Sequence, residues 1–317
     1  MKRHLVGLAA SAALLATATT ASAGLAFNIT YTAAVQANSN FAQIQTDVNF
    51  VANEFSSTYS DNVTVNFTID QAPGGLGSSL FSSAYFRGSY GQVRAALAAD
   101  AKSVDDASSV ASLPAGAPAG SSSAANGWVL TSAQAKAVGL LAANNAASDG
   151  AYTFTSDPIL NFDINNRAQA GLYDFISVTE HEFSELMGRT TQLSNIGFGN
   201  LGFDLFRFDA PGVRTFVAAG DCSAYFSVNN GVSNLKNYNC VAPGAADIQD
   251  WASGDPTDSY NAFGSAGVQG GISAVDVRVL DVIGWDLASA NIPEPGTLVL
   301  VGLASGLMLL RRRQVAV

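Results

Sequence analysis

The chain has 317 residues, 48% of them hydrophobic, enough to bury one large core or two small ones. Its formal net charge of −10 becomes −14 once Lys2, Arg3, Glu294 and the arginines at 311, 312 and 313 are set aside with the two chain ends. Such an acidic body argues against nucleic acid or anionic lipid as a partner and suits cation binding.

In chain order, residues 1–23 open with Lys2 and Arg3, run through Leu, Ala and Val, and reach Ala21-Ser22-Ala23. A positive start, a short apolar stretch and an A-x-A site predict a secretory signal peptide, with the mature chain beginning near Gly24. Residues 24–33 alternate apolar and polar and predict a strand. Phe41, Ile44, Val48, Val51 and Phe55 follow with spacings of three and four, the apolar face of a helix. Residues 61–70 alternate again, so the body opens as strand, helix, strand. Residues 72–79, APGGLGSS, read as a loop and 90–101 as a helix. The low-complexity stretch 112–127 reads as a flexible surface insertion. Thr131 and Ser132 offer N-cap oxygens to a helix over about 133–142. Residues 151–165 predict one or two strands broken at Pro158.

Residues 167–188 become helical in their second half, with a Ser177-x-x-Glu180 capping box and Gly188 as the stop. Beyond Arg189 short β-like pieces at 203–210 and 214–219 alternate with Gly, Asn and Ser, which predicts a loop-rich C-terminal half. Residues 273–287 close the body as an amphipathic helix with Ile283 and Trp285 as core anchors. Cys222 and Cys240 are the only cysteines, and an exported chain predicts one disulfide between them.

The stretch 179–188, TEHEFSELMG, carries the chemistry. On a helix His181 and Glu185 stand one turn apart on the same face and can reach one metal ion. Glu182 is rotated by about 100° from His181, the offset that H-E-x-x-H peptidases use for their general base. A solvated acidic face would give the same letters. Against that, His181 is the only histidine outside the signal peptide, and burying so many charges on an apolar helix is costly without partners. With no further histidine, a third ligand must be an oxygen donor. Asp204, with 18 residues between it and Glu185, is the first choice, and Asp209 the second. A capping or salt-bridging role near Arg207 fits Asp204 as well. Tyr173, Tyr225 and Tyr260 are candidate oxyanion partners. One imidazole and two carboxylates imply a divalent metal, zinc first, with the oxygen donors shifting preference toward manganese or iron. Asp247, Asp250, Asp255 and Asp258 form an acidic cluster whose spacing fits no EF-hand loop.

Two resemblances add to this reading. Pro293-Glu294-Pro295, the apolar run 297–310 and Arg311-Arg312-Arg313 together resemble the bacterial PEP-CTERM sorting tail, which implies recognition in the membrane by an exosortase-type enzyme. The apolar run is 14 residues, short of the about 20 of a full span. The segments 173–189, 203–216, 250–254, 261–268 and 275–286 resemble a family of exported bacterial zincin-like metalloproteases whose usual motif is H-E-x-x-E-x-M-G-R. That resemblance implies an α+β, zincin- or metzincin-like catalytic-type domain over 24–290, with a mixed sheet and an active-site helix. It also implies a protein or peptide substrate and, with the sorting tail, location at the cell surface or in a polysaccharide matrix; in that peptidase reading residues 159–165 are the candidate edge strand for an extended substrate. The competing expectation is a non-catalytic surface protein on the same scaffold, with a structural metal or none.

Overall fold

The computed structural model describes residues 24–288 apart from 122–125, 196, 219–221, 241–246 and 253. The signal segment 1–23 and the tail 291–317, with Pro293, Glu294, Pro295 and the three arginines, lie outside the described residues. Among the described residues no helix is long and apolar enough to cross a membrane.

The alternating opening forms β1 (Ala26–Tyr31), and a short α1 (Ala33–Gln36) starts on the Thr32 side chain. The three-four spacing becomes α2 (Phe41–Thr58), whose Ile44, Val48, Val51 and Phe55 are fully buried. It is followed by β2 (Thr64–Ala72) and β3 (Gly77–Phe81). The stretch read as a loop at 72–79 therefore becomes strand at Gly77, because Ser78 and Ser79 find cross-strand partners far along the chain. Next come β4 (Phe86–Gly88), α3 (Tyr90–Asp100), α4 (Val104–Ser112), β5 (Trp128–Leu130) and α5 (Ser132–Ala137), capped by Thr131 as predicted but ending five residues early. Within the stretch read as a flexible insertion, Leu113 is buried and the Pro114 carbonyl accepts from the Tyr90 hydroxyl at 2.8 Å.

The strand region broken at Pro158 gives β6 (Gly150–Thr155) and β7 (Leu160–Asn161), the latter paired with β8 (Tyr173–Asp174). The main sheet runs β1-β2-β6-β3, with β1, β2 and β6 parallel and β3 antiparallel at the edge. Residues 159–165 thus lie outside this sheet, whose two edges are β1 and β3. Across the sheet lies α6 (Phe175–Leu186), packed on β3, β6 and α2. Its Phe183 sits among Phe27, Phe55, Phe67 and Tyr152 with ring centroids 4.8–6.4 Å away. Aromatic packing of this kind fixes the helix's rotation, which turns the His181 and Glu185 side away from the core.

The C-terminal half is loop-rich, as predicted. It holds β9 (Asn200–Leu201), a 3₁₀ turn over Gly202–Phe206 where a strand was expected, and a small antiparallel sheet. That sheet joins β10 (Arg207–Ala210), β11 (Val213–Arg214), β12 (Tyr225–Phe226) and β13 (Lys236–Asn237). Cys222 and Cys240 are disulfide-bonded beside it. The closing helix α7 (Ala274–Val282) starts on a Ser273/Asp276 capping box, and Ile283 and Trp285 beyond it are fully buried. The described residues form an α+β fold with several sheets.

Candidate metal centre

The site helix is capped by Asp174, whose carboxylate accepts from the Ile176 N–H at 3.2 Å, rather than by Ser177. Burial of Phe175 and Ile176 draws the helix start upstream of the predicted box. Gly188, at φ +122°, ends the helix as predicted.

On the exposed side of α6, His181 Nδ1 lies 2.8 Å from the Ser259 carbonyl. A carbonyl only accepts, so Nδ1 carries the proton and Nε2 is the atom turned to the cleft. Nε2 is 3.4 Å from Glu185 Oε1 and 3.3 Å from Asp250 Oδ1. One donor atom from each of His181, Glu185 and Asp250 lies within 4.8 Å of the others, the geometry of a three-residue metal cradle. The pair predicted on the helix is brought together, and Asp250 completes it. Asp204, the expected third ligand, is elsewhere: it accepts from Thr191 Oγ1 at 2.5 Å and from the Leu201 N–H at 2.8 Å, capping the 3₁₀ turn. Burial pushes its carboxyl up to about 6. Asp209 is exposed on β10.

Asp250 reaches the helix because its neighbour Trp251 is locked. The Trp251 indole donates to Asp276 at 2.7 Å and packs on Phe226 and Tyr238. Its backbone bonds Tyr260 at 2.9 Å and Ala262 at 3.1 Å, and the Asp250 carbonyl accepts from Asn239 at 2.7 Å.

The carboxylates are oriented by groups that motif spacing does not name. Ser79 on the edge strand donates to Glu185 Oε2 at 2.7 Å, and Gln249 to Oε1 at 2.9 Å. Arg189, fully buried, donates to Asp250 at 2.7 Å and to Ser184 at 2.7 Å, lies 3.5 Å from Glu185, and stacks 4.4 Å over Tyr260. Arg189 was legible as the last letter of the motif, since it lies one turn beyond Glu185. Ser79 and Gln249 carry no such signal.

Glu182 lines the same cleft, of about 510 Å³, with Tyr173, His181, Asp250 and the edge-strand residues Gly77–Ser79. Its Oε2 is buried without a hydrogen-bond partner. Gly77 faces it so closely that a Cβ there would lie 2.5 Å from Glu182 Oε1. Burial, and then Glu185, push the Glu182 carboxyl well above the usual range. Burial also opposes ionisation of Glu185, but His181, Arg189 and Ser79 outweigh it and hold that carboxyl down to about 2. On His181 burial acts to lower the pKa, yet Asp250 prevails and holds it well above the ordinary value. Of the three candidate tyrosines, only Tyr173 lines the cleft; Tyr260 is fully buried under Arg189, and the Tyr225 hydroxyl donates to Gly231 in the small sheet.

These residues fit a divalent cation on two counts. The donor set offers one imidazole nitrogen and two carboxylates, and the protons that His181 and Glu182 hold against their acidic neighbours are the ones a bound cation would displace. Buried charge is stable only when paired or metal-bound, and the orphaned Glu182 oxygen marks where a partner is missing. No family model, curated protein or solved structure matches the chain.

Proposed function

We propose that the chain is an exported metallopeptidase of zincin-like build, with His181, Glu185 and Asp250 as metal ligands and Glu182 as general base. The observation that carries this reading is the meeting of one imidazole and two carboxylates beside an unpartnered buried glutamate, all in one cleft. The ion would be zinc, or manganese or iron given two oxygen ligands. Bound there, it would supply Lewis acidity to the scissile carbonyl and to the attacking water.

The chain's own residues do the rest. Ser259 fixes the His181 tautomer, and Ser79, Gln249 and Arg189 hold the two carboxylates, support that ligands of this kind need. Glu182 takes the proton of the attacking water and passes it to the departing amine; a cation bound beside it would favour the ionised form that the first step needs. The free edge of β3 offers unpaired backbone groups to an extended peptide, by strand addition. The exosortase-type tail would deliver the protein to the surface or the polysaccharide matrix.

The test is cleavage of an unfolded protein by the full chain with zinc or manganese. Glu182→Gln should lower the rate by about 10²–10⁴-fold with metal content kept; cleavage that survives it would falsify the role given to Glu182. The second reading, a non-catalytic surface protein, is favoured by Arg189, which already neutralises part of the acidic cluster without a metal. Purified protein free of transition metal, and unchanged by His181→Ala, would support that alternative.

A further inference from the structure

A second cleft, of about 580 Å³, lies between α2 and the loop after β7. It is lined by Thr46 and Asp47 from the helix, by Asn161 at the end of β7 and by Asp163 and Asn165 from the loop, with no Lys, Arg or His among its lining residues. Asp47 is 1% exposed, and neither of its carboxylate oxygens has a hydrogen-bond partner. A buried carboxylate left without any partner is a large unpaid penalty in a folded protein. Burial, with Asp174 and Asp163 adding to it and Arg167 opposing, pushes its carboxyl up to about 7.

The segment opposite has alternating oxygen side chains, Asn161-x-Asp163-x-Asn165. It is held open by its own bonds: Asn161 Oδ1 accepts from Asp163 N at 3.1 Å, Asp163 Oδ1 from Asn165 N at 3.0 Å, and the Asn161 amide donates to the Asn166 and Arg167 carbonyls. The nearby cation, Arg167, is committed to Asp174 at 2.6 Å, with Glu180 at 3.6 Å.

We propose that this cleft is a calcium site, with Asp47 and Asp163 as the charged ligands and Asn161 and Asn165 as amide-oxygen ligands. The donors are all hard oxygens of mixed type, one from α2, one from the end of β7 and two from the irregular loop after it. Calcium accepts six to eight such ligands, whereas magnesium demands a near-ideal octahedron. The ion would tie α2 to the segment that leads through Arg167 to Asp174, the cap of the metal-centre helix. Its consequence is structural, and the site is separate from the His181 centre.

The test is calorimetric titration of the chelator-treated full chain with calcium chloride, alongside thermal unfolding with and without the ion. One calcium should bind per chain and raise the unfolding midpoint. Asp163→Asn, at an exposed position that leaves the fold intact, should weaken binding by about tenfold or more, as loss of a ligand charge does. Asp47→Asn should abolish the heat, and His181→Ala should leave it unchanged. Absence of calcium binding, binding unchanged in both aspartate variants, or magnesium binding as tight as calcium would overturn the proposal.

Discussion

The two halves of the candidate metal centre are built by different means. His181, Glu182 and Glu185 stand on α6, where a helical repeat sets their mutual positions and Phe183 anchors the helix in the aromatic core. Asp250 stands on an irregular segment, 61 residues beyond Arg189. Its position is set by Trp251, Asn239, Tyr260 and Asp276, contacts no local pattern announces. A regular element fixes spacing by geometry. A loop must fix it by a list of particular bonds, and each of these is a separate point of failure.

That contrast can be broken at several places, in order of expected effect. On the helix side, Gly77→Ala should push the new methyl into Glu182 and cost activity by about 10²-fold, the penalty of misplacing a reacting group. Metal content should persist, since Gly77 touches none of the three ligands; steady-state kinetics and elemental analysis read the two effects apart.

On the loop side, replacing Cys222 and Cys240 by Ser opens a cross-link with a sequence separation of 18. Loop-closure entropy puts the loss at about 3 kcal/mol, measured by denaturant unfolding. If the loop region depends on such particular ties, the small sheet should loosen before the β1-β2-β6-β3 sheet does, visible as earlier hydrogen exchange.

The smallest effect concerns the seam between the regions. Asp61, Asp100 and Asp281 each have a carboxyl pushed up to about 7, by burial first and by neighbouring aspartates as well. Their unfolded values are near 3.9. The folded chain therefore binds these protons more tightly, so stability falls as pH rises from about 4 through about 7. Glu185, held down to about 2, acts the opposite way, but only below the ordinary glutamate range. With chelator present, the unfolding midpoint should be higher at pH 5 than at pH 8; a midpoint that climbs across this window contradicts the assignment.

Sequence was informative where periodicity governs. Alternation placed β1 and β2, three-four spacing placed α2, and the i,i+4 relation placed His181 with Glu185. It misled where a single residue's role depends on distant partners. Asp204 stands at a plausible distance along the chain, yet the Leu201 N–H and the Thr191 and Asn200 side chains claim its carboxylate. Gly77–Ser79 read as loop because a short edge strand with two serines lacks an apolar alternation; pairing with β6 makes it a strand. Asp250 was visible only as one member of the Asp247–Asp258 cluster and of the 250–254 segment in the resemblance, beside Trp251, which the fold buries fully. Arg189 gave a further sign: a buried guanidinium requires a carboxylate beyond Glu185, and Asp250 supplies it.

The central claim is that the third ligand comes from the loop and is Asp250. The most direct measurement is the zinc content and affinity of the full chain after dialysis, comparing Asp250→Ala with Asp204→Ala. The account predicts one ion per chain, lost in Asp250→Ala and in His181→Ala, and retained in Asp204→Ala, which should show only lowered stability from the uncapped turn. Retention of the ion by Asp250→Ala together with its loss in Asp204→Ala would contradict the account.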